Sequence, residues 1–126
     1  MDVHHAVAAA ELLLPGVEAP EGELDPRWQA IQELRQFEES DPEPLWQFAR
    51  RWGASDDPDL RTAVATCLLE HLLEYHFEAL FPRVEAAVRA DVRFADCFVQ
   101  CWPFGATEEP QNLRRFEALK SSVAAV

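Results

Sequence analysis

"DPDLRTAVATCLLEHLLEYH", Asp57 to His76, is the stretch whose reading decides the fold. Leu60, Ala63, Val64, Cys67, Leu68, Leu69, Leu72, Leu73 and Tyr75 recur at the three- and four-residue steps of an α-helix. Together they cover most of its circumference, and a helix apolar almost all round is buried between neighbours. The polar remainder is a narrow stripe, Thr62, Thr66, Glu70 and Glu74. Just upstream lies "ASDDPDL", where Ser55, Asp56 or Asp57 can cap the helix and Pro58 sits in its first turn. Asp59 and Arg61 stand inside the start. Their spacing suits either an active site or the inner helix of a repeat.

The pair recurs, which favours the repeat. "DPRWQAIQEL" carries Asp25 and Arg27, and "DVRFADCFVQCW" carries Asp91 and Arg93. Aligned on Asp25, Asp59 and Asp91, the copies lie 34 and 32 residues apart. Periods of this size signal stacked supersecondary units. An Asp at a helix start satisfies free N–H groups and the helix dipole. An Arg just inside can bridge to the adjacent turn by charge-assisted hydrogen bonds. Asp25, Arg27, Asp59, Arg61, Asp91 and Arg93 are therefore read as structural inter-repeat residues, with Arg61 expected to reach Asp25 or Asp91.

The rest of the chain fits around these segments. Residues 2–14 read as a short helix stopped at Pro15 and Gly16, followed by the connector "PGVEAPEGEL". Trp28, Ile31, Leu34 and Phe37 mark one face of the next helix. "ESDPEP" opens a third, through Leu45, Trp46, Phe48, Ala49 and Trp52 to a stop at Gly53. A fifth runs from about Glu78 to Ala90 around Pro82, a sixth from Asp91 to Trp102, and a last one over 112–124. Strand alternation and hairpin turns are absent from the pattern. The chain reads as all-α, about seven helices in one domain, an α-solenoid-like, right-handed stack of about three helical hairpins. Within it, 1–24 is an N-terminal helix and connector, 25–102 the repeats, and 103–126 a loop and C-terminal capping helix.

At "DPDLRTAVATCLL" the chain resembles HEAT-type helical repeat proteins, whose second helices open on an Asp turn and a Val/Leu-Arg-x-Ala start. "DVRFADCF" and "DPRWQAIQEL" follow the pattern more loosely, and the resemblance covers residues 25–102. Through "CLLEHLLEYHF" and "CWPFG" it is also similar to a group of small bacterial HEAT-like proteins. This resemblance implies an architecture and a binding surface rather than a reaction. The HEAT-like alkylpurine DNA glycosylases work through a basic groove, which this sequence does not supply.

The net charge is −12 and the pI about 4.6. Such a field repels nucleic-acid phosphates and anionic membranes, and admits a basic protein partner. Cys67, Cys97 and Cys101 are an odd number set in apolar patterns, unlike a disulfide framework. Asp2 and Glu11 break the pattern of a signal peptide, and no run reaches membrane-spanning length, so a cytoplasmic location is expected.

Candidate chemistry is sparse. Glu70, His71, Glu74, Tyr75 and His76 form the densest cluster, and carboxylates beside a histidine are the raw material of metal or acid–base sites. His71 and His76 are five residues apart, about 140° around the helix, so the His-Glu-x-x-His spacing of zinc proteases is not met. Cys67, Cys97, Cys101 and His71 lack the close-spaced Cys pair of structural zinc sites. Nucleophile elbow, dinucleotide and phosphate-loop motifs do not occur, and no cofactor or metal is expected.

The expected function is non-catalytic protein binding. The polar stripe Thr62, Thr66, Glu70 and Glu74, joined by Asp96, Gln100 and the helix-end Trp102, is the expected partner face. One alternative is an immunity- or antitoxin-like inhibitor capping a basic toxin. A second is a metal-dependent enzyme using Glu70, His71 and Glu74.

Overall fold

The structure, a computed structural model, describes residues 2–124. Of the expected capping segment 103–126, the last two positions lie outside the described residues. Among those described, every regular element is helical. They are α1 (Val3–Leu13), α2 (Pro26–Glu33) with a 3-10 turn (Leu34–Phe37), α3 (Pro42–Trp52) and α4 (Pro58–Val64). A π-helical turn (Ala65–Leu69) joins α4 to α5 (Glu70–Ala90), followed by α6 (Val92–Phe98), a 3-10 turn (Gly105–Glu108) and α7 (Pro110–Ala124). No helix among them is long and apolar enough to cross a membrane.

Aspartates start these helices for a simple reason: the first four N–H groups of a helix have no partner within it. The Asp25 carboxylate accepts from Arg27 N–H, Asp57 from Asp59 N–H, and Asp91 from Arg93 and Phe94 N–H. Pro26, Pro42, Pro58 and Pro110 each occupy the first position, where the missing N–H does no harm.

These caps correct the repeat register. In the middle copy the residue equivalent to Asp25 and Asp91 is Asp57, and Asp59 stands where Arg27 and Arg93 stand in the other copies. Arg61 lies half a turn deeper. Two aspartates flanking Pro58 made the alignment on Asp59 equally good in sequence.

The segment Pro58–Ala90 carries two irregularities, the second of which divides it into two helices near the expected boundary between His76 and Glu78. The π turn is the first. The second is His76, whose backbone leaves the helical region (φ −134°, ψ 39°). His76 Nε2 donates to the Glu38 carbonyl at 2.7 Å, tying the break to the end of the 3-10 turn. Pro82 lies within α5, six residues beyond the break. The π turn, with its i→i+5 hydrogen bonds, shifts everything after it relative to simple α spacing.

Packing follows chain order in two rows. α2, α4 and α6 lie side by side, as do α1, α3 and α5. α1 also packs on α2, α3 on α4, and α5 on α6. Leu68, Leu69 and Leu72 are fully buried where these elements meet. Phe77 stacks on Phe81 at 4.6 Å, and Phe98 meets Phe116 of α7 edge-on at 5.2 Å. Gly53 ends α3 with an ordinary right-handed φ of −66°. Its value lies in space: a Cβ there would stand 2.6 Å from the Ala49 carbonyl and 3.1 Å from Cys97 Sγ and Phe94.

Candidate functional site

Two polar constructions emerge, one at the helix starts and one where α5 meets the segment after α6. The first centres on Arg27, which is 2% exposed. Its guanidinium donates to Asp25 at 3.1 Å, Asp57 at 3.0 Å and Asp59 at 2.7 Å, and to the Gly16 carbonyl at 3.3 Å. Trp28 Nε1 donates to the same Asp59 oxygen at 2.9 Å. The Arg27 guanidinium holds the Asp25 carboxyl down at about 2. Arg27 thus ties the α2 start to the α4 start.

Arg61 behaves otherwise than expected. Neither Asp25 nor Asp91 receives it. Its Nε donates to Asp96 of α6 at 2.9 Å, and its Nη1 to the Ser55 carbonyl at 2.9 Å. Asp91 instead lies 3.7 Å from Arg50 of α3, and Arg93 pairs back to Asp56 in the turn before α4. Arg27, Asp59, Arg61, Asp91 and Arg93 each reach a neighbouring helix or turn, in a wiring that spacing alone does not determine, while Asp25 bonds Arg27 of its own turn and the Ala19 N–H.

The polar stripe is likewise turned inward. The Thr62 hydroxyl donates to Gln100 Oε1 at 2.6 Å, and the Gln100 amide donates back to the Asp96 carbonyl at 3.1 Å. Thr66 donates to the Thr62 carbonyl at 2.9 Å. Glu70 is buried, and its carboxylate accepts the Trp102 N–H at 3.1 Å. Burial pushes the Glu70 carboxyl up. Thr62 with Gln100 and Glu70 with Trp102 therefore form a seam joining α4 and the start of α5 to the C-terminal end of α6 and the segment after it. Of the expected partner face, Asp96 and Trp102 are exposed, Thr62, Thr66, Glu74 and Gln100 are half-buried, and Glu70 is buried.

The second construction surrounds Glu70, His71 and Glu74. His71 Nδ1 donates to Glu74 Oε1 at 2.9 Å, and its Nε2 lies 3.5 Å from Glu70 Oε2. The Phe104 ring stacks on the imidazole, with centroids 5.5 Å apart and planes 15° apart. Gly105, at φ +51°, presses so closely on Glu74 that a Cβ would come within 2.6 Å of its Cγ. The segment Trp102–Gly105 is thus laid across the Glu70–Glu74 turn of α5. Lys120 of α7 holds its root by donating to the Cys101 carbonyl at 2.5 Å.

Three large aromatic side chains stand exposed at this place: Trp102 at 67%, Tyr75 at 45% and Phe104 at 38%. Tyr75, expected among the buried apolar residues, is exposed, and Phe104 inside the Pro/Gly loop carries no periodic signal that would mark it. Exposure of Tyr75 follows from its position one residue before the His76 break, where the helix face turns outward. The Tyr75 hydroxyl is pushed up, first by the charge of Glu74 and further by Glu38 and Glu39, so the surface around it is negative.

Among the described residues no group of three or more His, Cys, Asp or Glu side chains is placed to hold a metal ion. His71 lies between the two carboxylates, bonded to Glu74, while Glu70 takes the Trp102 N–H. Cys67, Cys97 and Cys101 are all buried thiols. Burial pushes the Cys97 thiol up to about 12 and raises the other two, the opposite of a reactive thiolate. Comparison with protein-family models, with curated proteins and with solved structures finds no match to this chain.

Proposed function

We propose that this chain is a non-catalytic helical-repeat module of the HEAT type that binds a basic protein partner. One observation carries the reading. Among the described residues, every arginine except Arg114 stands in an ion pair with a carboxylate of the chain itself. The positive charge is engaged internally. Glu18, Glu21, Glu23, Glu33, Glu39 and Glu108 are exposed and outside those pairs, so unpaired negative charge stands on the surface of a chain of net charge −12. A field of that kind speeds association with a positive surface and opposes association with a negative one.

The test uses a lysine- and arginine-rich peptide, with neutral and acidic peptides of equal length as controls. Calorimetric titration should give binding for the basic peptide alone. That binding should weaken steeply as salt shortens the screening length below about 10 Å. A basic peptide that fails to bind even at low salt overturns the proposal.

A further inference from the structure

We infer that the partner's basic segment docks on the aromatic shelf of Tyr75, Trp102 and Phe104, with a lysine or arginine side chain over Trp102 and against Glu74. The inference rests on the reading of a basic partner and gives it a place.

The exposed aromatic side chains of the described chain gather here. Phe104 is the one exposed phenylalanine, Trp102 the one exposed tryptophan, and Tyr75 the chain's single tyrosine. Trp46 is buried, while the indoles of Trp28 and Trp52 are half-buried and donate to Asp59 and Glu11. The other strongly exposed apolar residues, Leu12, Val17, Leu24 and Val92, are aliphatic. Aromatic side chains carry interface energy far beyond their number, because large rigid surfaces lose little entropy when covered.

The shelf is fastened before any partner arrives. Glu70 holds the Trp102 N–H, His71 supports the Phe104 ring, and Gly105 is seated against Glu74. A surface already ordered pays little further ordering on binding.

Charge selects the occupant. Glu74 directly precedes Tyr75 in α5, the charges of Glu74, Glu38 and Glu39 act on the Tyr75 hydroxyl, and Arg35, the arginine that acts on it too, is engaged by Glu38 at 3.4 Å. A ring face with carboxylates beside it attracts a cation. A second copy of this chain would bring −12 against −12, so self-association through the shelf is opposed. The same field repels a nucleic acid.

The basic peptide is the probe, and its affinity is measured for three proteins of equal folded stability by urea unfolding. Trp102→Ala should weaken binding by at least about fivefold. Glu18→Gln/Glu21→Gln/Glu23→Gln, at the connector remote from the shelf, should change it less than about twofold. In NMR spectra of the wild type, the Trp102 indole N–H, assigned by its loss in Trp102→Phe, should move on adding peptide while the other three stay. If the connector triple matches or exceeds the loss from Trp102→Ala, or the Trp102 signal does not move, the shelf is wrong and the basic partner stands. If the wild type ignores the basic peptide, the underlying reading fails and the shelf falls with it.

Discussion

Replacing Arg27 by methionine should be the most damaging single charge change in the molecule. Methionine keeps the length and most of the apolar volume, so the perturbation is chiefly electrostatic. It leaves Asp25, Asp57 and Asp59 facing one another without their shared cation, and strands the indole-bonded Asp59. Breaking a fully buried ion pair by removing one partner costs about 3–5 kcal/mol. Here the guanidinium is buried, but the carboxylates are 11%, 40% and 20% exposed, and water screens part of the repulsion. A loss of about 2–3 kcal/mol is expected. At a urea slope of about 1–3 kcal/mol per molar, the midpoint should fall by about 1–2 M, read by tryptophan fluorescence. High salt should recover part of the loss, because it screens carboxylate repulsion. Arg27→Lys should fall between, since one ammonium cannot serve three carboxylates and a carbonyl in fixed directions. Acid gives a cross-check. Arg27 depresses Asp25 from 3.8 to about 2, so its stabilising contribution is present above pH 4 and is lost as pH falls from about 4 to 2. In Arg27→Met that part of the acid sensitivity should vanish. A variant within about 0.5 kcal/mol of wild type, with unchanged acid unfolding, refutes the knot as a structural tie.

Leu68→Ala removes a fully buried side chain where the helices meet and should cost about 2–5 kcal/mol in urea unfolding; a loss below about 1 kcal/mol would place its helix at the periphery. Gly53→Ala should cost about 1–3 kcal/mol although its φ suits any residue, because the new methyl meets Ala49, Cys97 and Phe94; thermal unfolding at wild-type temperature contradicts the close approach. Arg61→Ala should cost about 1 kcal/mol, less than Arg27→Met, since Asp96 is half exposed; a double-mutant cycle with Asp96→Ala checks the pairing and should return a coupling near zero if the two are not partners.

Much of the fold could be read from residue pattern, because helix starts obey local chemistry. Asp25 before Pro26 and Asp91 before Val92 carry their caps in the sequence, and the period-3.6 runs through Leu68 and Leu72 mark burial directly. The pairings of the arginines were not legible. Arg61 and Arg93 look equivalent in sequence, yet one reaches forward to α6 and the other back to the turn before α4. Which carboxylate lies within reach depends on how helices are rotated about their axes, and spacing along the chain is silent on rotation. The polar stripe shows the same limit. Four-residue spacing says that Thr62, Thr66 and Glu70 share a helix face; it does not say that the face meets α6. The π turn and the His76 break have no Gly or Pro at their sites. The His76 break is tied instead to the Glu38 carbonyl, 38 positions upstream.

Charge in this chain is divided between two tasks that the net value conceals. Asp25, Asp57 and Asp59 at the helix starts gather around the buried Arg27 and contribute to the fold. Those around Tyr75 and along the connector face outward, where each adds to self-repulsion and gives nothing back to packing. A surface arranged only for solubility has no need to gather its exposed aromatic rings at one place. Here Trp102, Tyr75 and Phe104 share the turn of α5 that also carries Glu70, His71 and Glu74, and two of those three polar residues hold the ring-bearing segment in position. Destabilising a carboxylate–arginine tie should therefore alter folding at constant affinity, while removing a shelf ring should alter affinity at constant folding. That separation follows from where the side chains point, and it is the strongest reason to regard the shelf as built for contact.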